Sequence, residues 1–169
     1  MAYRNKTFVS FASEDIHCYR MMQAWRQNAN IAFDFHDAHD LNTALDTSRP
    51  ETIRRRLRQR FANTKQVVLL VSRDTRLVAR RPSRFLYYEV EVIRRLGLPV
   101  VFAHLDGSRR VNRERLPSKL LQPYTICVSF QPKIIRFALD RYVYSYAKHR
   151  HVRSGPHFYG KAIYEPLGL

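Results

Sequence analysis

The chain has 169 residues, 45% of them hydrophobic and 12% aromatic, which suits one packed domain and excludes a disordered chain. No apolar run approaches a membrane span, and Met1-Ala-Tyr-Arg-Asn-Lys6 passes at once into a strand-like run, so neither a membrane segment nor a signal peptide is expected. The net charge is +16, with five Lys/Arg against six Asp/Glu in residues 1–50 and twenty-five against eight in residues 51–169, a balance that favours anionic partners without choosing among them.

In chain order, Lys6 to Phe11 reads as a first strand. Ala12-Ser-Glu-Asp15 is a polar turn suited to capping a helix. Ile16 to Asn28 follows as that helix, with Tyr19, Met22 and Trp25 on one side. Ile31 to His36 alternates apolar and polar residues, as an edge strand does. An acidic loop, Asp37 through Asp46, leads to a helix near Pro50 with Ser48 as a cap. Ile53, Leu57 and Phe61 mark its buried side, and Arg54, Arg55, Arg58 and Arg60 its outer side.

Gln66-Val-Val-Leu-Leu-Val-Ser72 lacks polar alternation and reads as a strand covered on both faces, the centre of a parallel sheet. A polar loop, Arg73 to Arg81, precedes Pro82 at an expected first helical position. The helix through Phe85, Glu89, Ile93 and Leu96 stops at Gly97. Leu98 to Ala103 is a fourth strand and Tyr124 to Ser129 a fifth, separated by a basic loop, Ser108 to Leu116. A last long helix starts near Pro132 and buries Ile135, Leu139, Tyr142 and Tyr146. Residues 1–148 are expected as one domain, and 149–169 as a basic, His-containing C-terminal extension in which Gly155-Pro156 breaks any helix.

Strands alternating with helices imply an α/β fold: a five-stranded parallel sheet in the flavodoxin-like order 2-1-3-4-5, with helices on both faces. Ligands of such sheets bind at the carboxyl ends of the strands, near the switch between strands 1 and 3. Ser10, Phe11, Asp37, His39, Asp40 and Ser72 belong to the segments that meet there.

Glu89 is the residue that most needs an explanation. Its neighbours three and four positions away are Phe85, Leu86, Val92 and Ile93, so it falls on the face that should be buried. A buried carboxylate is costly unless it is paired or faces a polar pocket. Two readings stay open from the residues alone: a catalytic carboxylate, or an internal ion pair with one of the many arginines. Asp37, His39 and Asp40 read as a solvated acidic loop rather than a metal site, and His149, His151 and His157 lack metal-ligand spacing, so no metal is expected. Cys18 and Cys127 read as reduced, buried thiols of a cytoplasmic protein. Strand 1 ends in Ser10-Phe11 and strand 3 in Val71-Ser72, without the acidic residues of a phosphoacceptor receiver domain. Only five glycines occur, with no glycine-rich phosphate loop and no recognised nucleic-acid motif.

Three stretches together carry a family resemblance over about residues 4–130. Phe8-Val-Ser-Phe11 followed by Ala-Ser-Glu-Asp15 resembles the first box of TIR domains. Phe33-Asp-Phe-His-Asp-Ala-His-Asp40 is similar to the second strand and loop of the TIR-like, ThsB-type proteins of bacterial Thoeris anti-phage systems. Phe85-Leu-Tyr-Tyr-Glu89 resembles the aromatic-x-x-x-Glu pattern of the family's helix after strand 3, with Phe85 where the family usually has Trp.

The resemblance implies a TIR-like enzyme that takes NAD⁺ as substrate, needs no separate cofactor, and cleaves the bond between nicotinamide and ribose. Its product would be a cyclic or conjugated ADP-ribose messenger that activates a partner effector after a phage trigger, and a homo-oligomer would be a further partner arrangement the resemblance implies. Carried over residue by residue, Glu89 takes the catalytic position and Phe85 shapes the pocket wall. Ser10 and Phe11 line the site from strand 1, and Asp37 to Asp40 belong to the loop that covers or opens it. The alternatives are a non-enzymatic interaction module on the same fold, a basic nucleic-acid-binding domain, and a nucleoside deoxyribosyltransferase, which would leave NAD⁺ untouched.

Overall fold

A computed structural model describes residues 5–37 and 49–169, with the side chains of His36 and Asp37 outside that description. Its centre is β3, Gln66–Val71, every residue of which is buried. Strand geometry sends alternate side chains to opposite faces. Val67, Leu69 and Val71 pack with Ile53, Leu57, Phe61, Leu86, Val90 and Ile93 from two helices on one face. Val68 and Leu70 pack with Tyr19, Met22, Ile134, Ile135 and Leu139 on the other. A run without polar alternation is thus what a strand between two helical layers requires.

The sheet order is β2-β1-β3-β4-β5-β6, and every adjacent pair is parallel. The strands are β1 (Lys6–Ser10), β2 (His36–Asp37), β3, β4 (Val100–His104), β5 (Thr125–Ser129) and β6 (Pro156–Phe158). The expected order 2-1-3-4-5 is present, and a sixth strand from the C-terminal extension adds to the edge of β5. Tyr164, at the end of α6 (Lys161–Tyr164), is fully buried in the same core.

On one face lie α1 (Ile16–Gln27) and α5 (Pro132–His149). On the other lie α2 (Pro50–Phe61), the short α3 (Thr75–Ala79) and α4 (Phe85–Leu96). Gly97 ends α4 with φ 60°, a left-handed conformation that a side chain makes costly. The turn closes through Gly97 N–H to the Arg94 carbonyl and Leu98 N–H to the Ile93 carbonyl. A Cβ at Gly97 would also stand 2.8 Å from the Arg150 guanidinium.

Three local expectations differ from the structure. Among the described residues the edge strand is His36–Asp37, so it does not include Ile31 to Phe35. Phe33 and Phe35 are buried and Ala32 and Asp34 exposed, so the alternation is real. The preceding carbonyls are taken instead by arginine side chains: Arg136 donates to Ala32 O at 2.7 Å, and Arg26 to Phe35 O at 3.3 Å. Residues 73–81, read as a loop, contain α3, which buries Val78 and Ala79. Pro82 lies in a turn and α4 begins at Phe85, because Arg84 is extended at φ −118° and ψ 143°. The proposed Ser48 cap lies outside the described residues.

Candidate active site

The carboxyl ends of β1 and β3 bring polar groups from four segments into one buried region. β1 turns Phe8 and Ser10 toward the α2–α4 face and Val9 and Phe11 toward the α1–α5 face. Glu89, in the second turn of α4, is 3% exposed. The Ser10 hydroxyl, itself sealed from solvent, donates to Glu89 Oε2 at 2.5 Å. A hydrogen bond this short to a carboxylate is charge-assisted and fixes the group's orientation. Phe85 lies one turn earlier on the same helix and is half-buried.

The β1–α1 turn is tied to the same helix. Arg84, directly before α4, pairs with Glu14 at 2.6 Å and donates to the Ser13 hydroxyl at 2.7 Å. The Arg84 bond holds the Glu14 carboxyl below its ordinary value. The start of the Glu89 helix is therefore tied to the turn that follows β1.

Asp15 was expected only as part of a capping turn. It does occupy the position before α1, but its side chain makes no capping bond. It is 8% exposed, and its Oδ2 has no hydrogen-bond partner among the described residues. Burial pushes its carboxyl up, against the opposing pull of a hydrogen bond from Ser72. Ser72 also donates its backbone N–H to Thr75 Oγ1 at 2.8 Å, which braces the loop after β3.

His104 is a second group that sequence reasoning passed over. It ends β4, is fully buried, and neither ring nitrogen has a hydrogen-bond partner among the described residues. Burial pushes its pKa down, so the ring is held neutral; nearby Asp106 opposes that shift. Both residues had a usable signal. Asp15 and His104 are polar residues at the carboxyl edge of strands in a parallel sheet, where ligands of this topology bind.

The expected site residues thus divide. Ser10 and Glu89 are in contact, and Ser72 braces the same edge through Asp15. Phe11 lies on the far face of the sheet, stacked on Tyr19 with ring centroids 5.0 Å apart. Asp37 ends β2, while its side chain, His39 and Asp40 lie outside the described residues. Among the described residues no three His, Cys, Asp or Glu side chains gather as a metal-binding group. Cys18 and Cys127 are free and buried, and burial pushes the Cys127 thiol up to about 12.

A carboxylate oriented by a hydroxyl, in a region shielded from water, can stabilise positive charge developing on a bound substrate. A family model described as Thoeris protein ThsB, TIR-like domain, matches residues 8–110. The matched stretch is more than half of the chain and runs from β1 to just beyond β4.

Proposed function

The chain belongs to the Thoeris ThsB TIR-like domain family, and from that premise we propose that it processes NAD⁺, with Glu89 as the catalytic carboxylate. The observation that carries this reading is the buried Glu89, held by Ser10 at the carboxyl edge of a parallel sheet. The Ser10 hydroxyl bond supports a carboxylate held in one orientation.

In the proposed reaction the bond between nicotinamide and ribose breaks. Nicotinamide leaves with the bonding electrons as a neutral base, so no general acid is required. Positive charge grows on the ribose, and Glu89 stabilises it electrostatically, as a carboxylate does in glycoside cleavage. Water capture gives ADP-ribose. Capture by a nucleophile within the same molecule gives a cyclic product, and capture by a second molecule gives a conjugate. Excluding water from the site favours the last two outcomes. The charge of +16 draws in the dinucleotide diphosphate. Phe85 is the proposed wall of the pocket. The loop through Asp37, His39 and Asp40 is its proposed cover.

The product is proposed to act as a messenger for a separate effector in the cytoplasm, made in response to phage. Self-assembly of the chain is proposed to complete the site. Among the described residues no helix is long and apolar enough to cross a membrane. The test is NAD⁺ consumption in cells with and without phage challenge, wild type against Glu89→Gln. The proposal expects nicotinamide release and a new ADP-ribose-like product, both lost in the variant. Unchanged NAD⁺ under challenge, with the protein folded and present, would reject the enzyme reading in favour of a binding module. The product's mass separates cyclisation from conjugation.

A further inference from the structure

The outer side of α4 carries a second feature, independent of the Glu89 chemistry. Glu89 points into the core, while Glu91, Arg94 and Arg95 line a furrow on the protein surface. Its broader part, of about 320 Å³, is walled by Glu91, Arg94, Arg95 and Lys119. It continues between α2 and α4 past Arg54, Arg58 and Tyr88. Past Lys119 it opens toward Arg80 and Tyr87, beside α3.

Glu91 is the one acidic residue among the described residues of these walls, and Lys119 neutralises it at 3.1 Å. Arg54, Arg58, Arg94 and Arg95 are exposed, and none is ion-paired among the described residues. Two tyrosine rings hold cations along the furrow: Arg54 sits over Tyr88 at 5.4 Å, and Lys119 over Tyr87 at 4.5 Å. Such contacts keep the cations in place without cancelling their charge.

We infer that this α2–α4 furrow is a binding site for a single-stranded nucleic acid, held through its phosphates. Four arginines without ionic partners along one concave line present guanidinium forks suited to a chain of phosphate oxygens. A lipid headgroup layer is flat and does not enter a furrow between two helices. A duplex is too wide for the narrow part, of about 90 Å³. An acidic peptide would lack its usual holds. No strand edge is offered for backbone pairing, and Val92 is the lone aliphatic wall of the two deeper parts.

A chain this basic attracts any polyanion, so the test must separate the furrow from net charge. Fluorescein-labelled dT20 is titrated with the full chain by anisotropy at 50 and 200 mM salt. Wild type is compared with two variants of equal charge loss. One carries Arg54→Gln, Arg58→Gln, Arg94→Gln and Arg95→Gln. The other carries Arg110→Gln, Arg113→Gln, Arg141→Gln and Lys148→Gln, all at exposed positions elsewhere. Neutralising four phosphates of a single strand predicts an affinity drop of about fifty-fold between the two salts. The inference expects that drop in wild type and in the second variant, and most of the slope gone in the furrow variant. Absence of binding at 50 mM, or equal loss in both variants, overturns it. Poly-glutamate bound as tightly as dT20, with the same dependence on the furrow arginines, also overturns it and makes the partner an acidic protein.

Discussion

Polar groups are buried at both sides of the sheet, but they are treated differently. Beneath α5 and α6, the tyrosine hydroxyls are satisfied. Tyr142 donates to Tyr124 O at 2.7 Å and accepts from Val100 N–H at 3.1 Å. Tyr146 donates to Gly97 O at 2.7 Å, and Tyr164 accepts from Ser129 N–H at 3.2 Å. At the carboxyl ends of β1 and β4, Asp15 Oδ2 and both His104 nitrogens lack hydrogen-bond partners among the described residues, as does Thr125 Oγ1 at the start of β5. An unsatisfied buried polar group costs on the order of 1–3 kcal/mol. The paired tyrosine hydroxyls therefore add to stability, whereas Asp15 and His104 are kept at a cost to it.

The largest expected separation between the two regions is in activity. Glu89→Gln should lower nicotinamide release about 10²–10³-fold, the loss typical of removing one preorganised electrostatic group. Its thermal midpoint should stay within a few degrees of wild type. A collapse of the midpoint would make Glu89 a structural residue.

Tyr142→Phe tests the other region. It removes one hydroxyl that serves both Val100 N–H and Tyr124 O, and should destabilise by about 2 kcal/mol. Urea unfolding reads the loss, while activity per folded molecule should be unchanged. No shift in the urea midpoint would remove the contrast between the two regions.

His104 predicts a pH slope. Its folded pKa is lowered by burial, so the unfolded chain takes up the proton first as pH falls. Stability is full above the ordinary histidine value and is lost as pH falls through it. The slope is up to about 1.4 kcal/mol per pH unit until the buried ring itself protonates. His104→Leu should flatten that slope between pH 7.5 and 5.5. Parallel slopes for the two proteins would show that the ring is solvated.

Asp15 gives the smallest effect, with the opposite sign of shift. Its folded pKa is raised, first by burial, so its ionisation costs stability as pH rises above the ordinary aspartate value. Asp15→Asn should therefore gain about 1 kcal/mol over wild type at neutral pH. The gain should shrink as pH falls toward the ordinary aspartate value and vanish about a pH unit below it, where the carboxyl is protonated in both states. A gain that persists unchanged there would rule out ionisation as its source.

Much of the site was legible because helix periodicity is a local property. Glu89 could be placed on the buried face from Phe85, Leu86, Val92 and Ile93 alone, and the structure buries it. Ser10 could be placed at the end of β1. That its hydroxyl would meet Glu89, 79 residues later, could not be read, because the crossing of α4 over β1 is set by packing. Phe11 is the converse case. It adjoins Ser10 in sequence, but strand alternation sends it to Tyr19 on the far face.

The chain's order of apolar runs and breakers determined the parallel sheet, its strand order through β5, and the inward face of each helix, since these follow from local periodicity and short right-handed crossovers. Tertiary structure alone decided the rest. Among the described residues it starts the edge strand at His36, with the Ala32 and Phe35 carbonyls hydrogen-bonded by arginines. It folded part of the basic tail into a sixth strand against β5. It also left Asp15 and His104 buried with atoms that have no hydrogen-bond partner among the described residues. Whether a polar group finds a partner depends on which distant segments pack beside it, and local pattern does not encode that.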